Sequence, residues 1–152
     1  MCAMKCSNYH IALCDDDEKL LLDLKDKIEK EFMKHGIDAE YHLFCDPLHL
    51  LTYINEEQMD MLFLDIDLPN MSGMEVAREL QMKEQSPLLI FVTNYDALVY
   101  DSFQYHPFSF IRKSHFNLEI KQVVTSIISF LEKKKETFTF SNGAEYIRLN
   151  ID

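Results

Sequence analysis

Basic charge is scarce in this chain. Its 152 residues carry 15 lysines and arginines against 26 aspartates and glutamates, a formal net charge of −11. That balance argues against a nucleic-acid surface made by these residues alone, because such surfaces neutralise phosphates with Lys and Arg. It suits a soluble protein whose clustered acids hold a divalent cation. Long apolar runs are also missing. None approaches the roughly 20 residues that cross a bilayer, so no membrane-spanning helix is expected. Met1 to His10 lacks the apolar core of a secretory signal. Cysteine is sparse, and Cys2, Cys6, Cys14 and Cys45 read as reduced cytosolic thiols. Cys14 and Cys45 fall in strand-like runs and are expected to pack. A metal site on Cys2 and Cys6 lacks a companion Cys/His set. No internal repeat or low-complexity segment divides the chain, and its length suggests one main domain with a real core.

What is present is an alternation of strand and helix. Apolar runs at 9–14, 39–45, 59–65, 87–93 and 107–112 read as five strands. Between them, Leu21, Leu24, Ile28 and Phe32 recur at helical spacing, and His35-Gly36 closes that helix. Asp46-Pro47 is an N-cap followed by an N1 proline, with Leu48, Leu51 and Ile54 as the expected inner stripe. Val76, Ala77 and Leu80 mark one face of a helix over 73–84. Leu98, Val99 and Phe103 mark a weaker helix over 95–104. Ile120, Val124, Ile127 and Leu131 stripe the last one. Continuous apolar strands such as Leu88-Leu-Ile-Phe-Val92 suit a parallel sheet buried on both faces. Five βα units with right-handed crossovers predict an α/β fold, a doubly wound five-stranded parallel sheet of flavodoxin-like type.

The strand ends carry the chemistry. Met61-Leu-Phe-Leu-Asp65 stops at a carboxylate and is followed by a turn with Pro69 and Gly73. Asp15 and Asp16 end the first strand, Thr93 the fourth, and Lys113 follows the fifth. Each has an ordinary role open to it: an acid at a helix N-terminus, a helix-capping threonine, a solvated lysine. Four strand ends carrying such residues on one edge of a parallel sheet, where open α/β folds bind ligands, point to a site. An exposed carboxylate there can bind a metal or act as a nucleophile.

Residues 9 to about 134 resemble the receiver domain of two-component response regulators. Asp65 with Leu68-Pro69 and Gly73 is similar to the phosphoacceptor segment and Asp15-Asp16 to the acidic pair. Thr93 matches the switch hydroxyl, Phe110 the switch aromatic and Lys113 the family's lysine. The resemblance implies a Mg²⁺ (or Mn²⁺) ion held by Asp15, Asp16, Asp65 and the backbone carbonyl of Asp67. It implies phosphoryl transfer to Asp65 from a sensor histidine kinase, with Lys113, Thr93 and the Asn94 amide on the phosphoryl oxygens. It also implies a rearrangement of Thr93 and Phe110. That rearrangement would alter the face made by the helix after strand four, strand five and the last helix, favouring a homodimer. No enzymatic turnover beyond self-phosphorylation and autodephosphorylation is expected, in a cytoplasmic protein. Three residues depart from the pattern. Ser114 stands where receivers usually have proline after the lysine, and a cis bond there would cost about 2.5–4 kcal/mol. Asn94 replaces a small residue, and Asp67 is acidic. His106 reads as a turn residue. An alternative is a Mg-dependent phosphatase of the haloacid-dehalogenase type using Asp65 and Asp67.

The tail differs from the rest. Thr137-Phe-Thr-Phe-Ser141, Asn142-Gly143 and Tyr146-Ile-Arg-Leu149 give a β-hairpin signal and resemble the opening of a LytTR DNA-binding domain. The expected organisation is an N-terminal extension (1–8), a receiver (9–134), and a linker with the first strands of a truncated LytTR-like output (135–152). DNA would be bound through the remainder of that output.

Overall fold

The computed structural model describes residues 9–83, 87–94 and 103–140, the last six and residue 103 by backbone alone. Strands β1 (Tyr9–Cys14), β2 (Ala39–Phe44), β3 (Met61–Asp65), β4 (Leu88–Thr93) and β5 (Ser109–Arg112) form one sheet in the order β2-β1-β3-β4-β5. Every pairing is parallel. This is the predicted flavodoxin-like order, and it reverses direction between β1 and β3, where such sheets open a crevice. Among the described residues the helices are α1 (Glu18–Lys34), α2 (Pro47–Glu56), α3 (Gly73–Gln81) and α4 (Phe116–Phe140). No helix among them is long and apolar enough to cross a membrane.

Strand residues alternate between two cores, as a period of two requires. Ile11, Leu13, Met61, Phe63, Ile90, Val92 and Ile111 pack against α1 and α4. Ala12, Cys14, Leu62, Leu64, Leu89 and Phe91 pack against α2 and α3. The result is a three-layer sandwich. Leu21, Leu24, Ile28 and Phe32 are buried as their spacing predicts, and so are Ile120, Val124 and Ile127, with Leu131 packed at the margin.

Local signals set the helix ends. Asp17 caps α1 through Leu20 N–H. After Lys34 the chain turns at Gly36, φ 73°. There the Gly36 and Ile37 amides donate to Met33 and Phe32 carbonyls, a Schellman closure in which Ile37 returns to the core. Asp46 and Pro47 open α2 as predicted. The buried residues of α2 are Pro47 and Leu50, whereas Leu48 is exposed and Leu51 and Ile54 are half-buried. The stripe is rotated because α2 lies over the Ala12–Cys14 side of the sheet near its edge and covers a narrow strip of it. Cys45 is exposed, against expectation, since β2 ends at Phe44. Cys14 is buried.

The predicted helix over 95–104 falls mostly outside the described residues; Phe103–Tyr105 forms a 3₁₀ turn. Residues 137–140, expected as a strand, continue α4 without a break at 134. A strand needs a partner to satisfy its backbone, and a lone hairpin is marginal in water. A helix already nucleated on the sheet extends residue by residue, through the good helix formers 132–136. The rest of the predicted hairpin, and Cys2 and Cys6, lie outside the described residues.

Candidate functional site

The register carries β1 and β3 side by side to their carboxyl ends, Cys14 beside Leu64. The next residue on each strand is an aspartate, and both are buried: Asp15 is 1% exposed and Asp65 4%. The two carboxylates are held alike. Asp15 Oδ1 accepts the Asp17 N–H at 2.9 Å and Asp65 Oδ1 accepts the Asp67 N–H at 3.2 Å. The second oxygens turn toward Lys113, whose Nζ lies 2.8 Å from Asp15 Oδ2 and 3.2 Å from Asp65 Oδ2. The Lys113–Asp65 contact is a hydrogen bond. The Lys113–Asp15 approach is an ion pair without hydrogen-bond alignment, so buried Asp15 Oδ2 lacks a hydrogen-bond partner. Asp16 stands exposed at the mouth, with carboxylate oxygens of Asp15, Asp16 and Asp65 all within 4.8 Å of one another.

Burial pushes the Asp65 carboxyl up to about 6; Lys113 and the Asp67 amide pull it down, and Asp15 pushes it further up. Burial alone would lower Lys113, but pairing with Asp15 and Asp65 outweighs it and holds the ammonium above its ordinary range. One cation thus faces three acids. All donors are hard oxygens, and one buried oxygen is left without a hydrogen bond. That is an environment a divalent cation of the Mg²⁺ class fits.

The supporting loop is built for close approach. A Cβ on Gly73 would stand 2.2 Å from the Asp65 carbonyl oxygen, so only glycine lets α3 begin against the end of β3. The Gly73 N–H donates to the Ile66 carbonyl at 2.8 Å. Ser72 and Glu75 form a reciprocal capping box, and Asn70 takes the left-handed turn at φ 69°. On the other side Glu119 accepts from both the Arg112 N–H and the Arg112 Nε, each at 2.8 Å. That clamp holds the end of β5, from which Lys113 reaches inward. Sequence reading missed Glu119, since an acid in the first turn of a helix looks like any other dipole partner.

Thr93 is wholly buried at the end of β4. Phe110 is half-buried and paired with Phe91, two residues before Thr93 on the same face. Asn94 is exposed just beyond. Asp67 is exposed, and its carboxylate is not part of the acidic group. The Lys113–Ser114 bond is trans, as are all peptide bonds among the described residues. His106 is an exposed turn residue at φ 51°. The phosphatase alternative is not supported: it needs an acidic pair later in the chain, and among the described residues the acids that join Asp65 come from the end of β1, earlier in the chain.

Comparison with known proteins agrees with this geometry. The family model described as the response regulator receiver domain matches residues 11–125. An uncharacterized response regulatory protein of Yersinia pestis is 31% identical over 103 residues, which are 68% of this chain and 41% of that protein. This chain spans less than half the length of the curated relatives it matches. Among solved structures, the response regulatory domain of MrkE from Klebsiella pneumoniae superposes with a TM-score of 0.73 at 20% identity, covering 82% of this chain and 98% of that one. TrrA from Thermotoga maritima, crystallised in complex with Mg²⁺ and BeF, gives 0.63 at 25% identity over 78% and 97% of the two chains. With the matched region covering most of the chain, this chain belongs to the response regulator receiver domain family of two-component systems.

Proposed function

We propose that Asp65 is the phosphoacceptor and that a sensor histidine kinase is the donor. The carrying observation is the buried Asp65 carboxylate, set between Asp15 and Lys113 at the carboxyl edge of the sheet. Asp15, Asp16 and Asp65 would hold Mg²⁺ or Mn²⁺ together with the Asp67 backbone carbonyl. The bound cation supplies positive charge that relieves the repulsion among the carboxylates and stabilises the transferring phosphoryl oxygens. The Mg²⁺–BeF complex of TrrA supports this assignment.

An ionised Asp65 oxygen attacks the phosphorus of a phosphohistidine. The P–O bond forms as the P–N bond breaks, and the electron pair leaves with the imidazole, which takes up a proton. Lys113 offsets charge on one phosphoryl oxygen. The Thr93 hydroxyl and the Asn94 amide donate to another. The burial that raises Asp65 keeps bulk water from competing, and Lys113 favours the ionised carboxylate. Water attacking the same phosphorus later returns Asp65 to its free state. Asp67, exposed beside Asp65, stands where its charge can affect that hydrolysis.

The added phosphoryl charge recruits Thr93, and Phe110 fills the space behind it on the same face of the sheet. The altered face would pair two copies of the chain in the cytoplasm. Residues 138–143, by the resemblance of their sequence to the start of a LytTR domain, support a DNA-binding output after α4 used in transcription regulation. Incubation with acetyl phosphate and Mg²⁺ should add one phosphoryl mass to the intact protein, and Asp65→Asn should abolish the addition. Undiminished labelling of that variant would sink the assignment.

A further inference from the structure

A second cluster of ligand-type side chains lies at the opposite end of the sheet from Asp65. His10 on β1 is in register with Glu40 on β2, and Ala12 with His42. Positions 10, 40 and 42 therefore project from one face of the β1–β2 pair. His10 Nδ1, Glu40 Oε1 and His42 Nε2 converge. His10 Nδ1 and His42 Nε2 are 3.2 Å apart, and Glu40 Oε1 lies 3.7 Å from the first and 3.8 Å from the second.

We infer that these three residues form a binding site for a borderline transition-metal dication, with Zn²⁺ as the type case. Distance carries the first part of the argument. A triangle with sides of 3.2, 3.7 and 3.8 Å has its centre about 2.1 Å from each corner, the length of a Zn–N or Zn–O bond. An ion can enter without moving the backbone. Donor chemistry carries the second. Two imidazoles and one carboxylate suit Zn²⁺, Cu²⁺ or Ni²⁺ and leave a hard oxygen-seeking ion such as Mg²⁺ to the Asp65 pocket.

The surroundings fix the ligands. The Tyr53 hydroxyl lies 3.4 Å from His42 Nδ1. A proton on Nδ1 directed at Tyr53 leaves the Nε2 lone pair facing His10 and Glu40, the outer-sphere arrangement common to metal-bound histidines. His10 is pinned through its backbone: its N–H donates to Asp60 Oδ2 and its carbonyl accepts the Asp60 N–H, both at 2.8 Å. In the metal-free protein one histidine donates a proton to the other across the 3.2 Å gap. Metal entry requires only that His10 carry its proton on Nε2 instead. The side chains of His10 and Glu40 are 40% and 55% exposed and that of His42 20%. An ion would thus keep room for at least one water, the open geometry of three protein ligands. Such an ion would tie edge strand β2 to β1 and stabilise the fold by linkage, at a distance from the phosphoryl chemistry.

Titration of the full chain with Zn²⁺ alone, read by competition with a chromophoric chelator and by thermal midpoint, tests this. The wild type should take one equivalent that His10→Gln, His42→Gln and Glu40→Gln each weaken at least tenfold, with loss of the zinc-dependent rise in midpoint. Asp16→Asn should retain that equivalent, which separates it from the acidic pocket, and the cysteines are unchanged throughout. Should His42→Gln fail to fold, the more exposed Glu40→Gln decides. Unaltered zinc stoichiometry and affinity in the three variants, or no binding by the wild type, would overturn the site.

Discussion

Asp65→Asn should make the metal-free protein more stable at neutral pH, although it removes the proposed reactive group. The carboxyl titrates at about 6 in the folded protein instead of 3.8. A shift of about two units at roughly 1.4 kcal/mol each sets an upper bound of about 3 kcal/mol on the cost of keeping Asp65 ionised. Asparagine recovers part of that. It sets an amide, with one N–H face, near the Lys113 ammonium, so a net gain of about 1–2 kcal/mol is expected, or roughly 3–6 °C in a domain of this size. The sign varies with pH. Between about pH 4 and pH 6 the folded wild type holds a proton that the unfolded chain has lost, so its stability falls as pH rises through this window. The asparagine variant has no such fall at this position. Its advantage should be near zero at pH 4, grow to pH 6 and stay level above. Saturating Mg²⁺ should reverse the ranking, because an ion bound only by the native pocket stabilises the wild type. Urea unfolding in chelator at pH 4.5, 6 and 7.5, with equal m-values, measures each step. A variant less stable than wild type at pH 7.5 without metal, or an advantage independent of pH, would refute the electrostatic reasoning.

Asp16→Ala and Asp15→Ala should each raise the Mg²⁺ dissociation constant at least tenfold by calorimetry, since each removes an oxygen of the cluster. Gly73→Ala should destabilise by more than about 2 kcal/mol and reduce phosphoryl labelling, because the added methyl meets the Asp65 carbonyl at 2.2 Å; wild-type labelling would show that the α3 approach is adjustable. Thr93→Ala should still accept phosphate but lose any coupling between a beryllofluoride mimic and self-association, measured by light scattering. Cys14, buried and pushed up to about 12 by burial and the neighbouring Asp15, should resist alkylation until the protein unfolds, whereas exposed Cys45 should react in the native state.

Periodicity and punctuation were enough to locate the five strands and the described helices, but not the end of α4. Each apolar run stops where a carboxylate, a hydroxyl or a lysine begins, and Asp46-Pro47 marks a helix start by chemistry confined to two residues. The stripes of α1 and α4 were legible because those helices pack on each other as well as on the sheet and bury a broad face. The stripe of α2 was not, because an edge helix buries little, and only packing selects Leu50 over Leu48. The segment 137–140 misled for a related reason. Its alternation is real, but a strand exists only beside another strand, and these residues instead continue a helix already packed on the sheet.

The sequence by itself determined the fold class and put Asp15, Asp65, Thr93 and Lys113 at strand ends, because both follow from local pattern. Tertiary structure alone decided that β1 and β3 are neighbours, and so that Asp15 and Asp65 bury their charges side by side under one lysine 48 residues further on. It also brought His10 beside His42, separated by 32 residues. Such distances are set by strand order and register. Those come from the packing of the whole sheet, and no short stretch of residues encodes them.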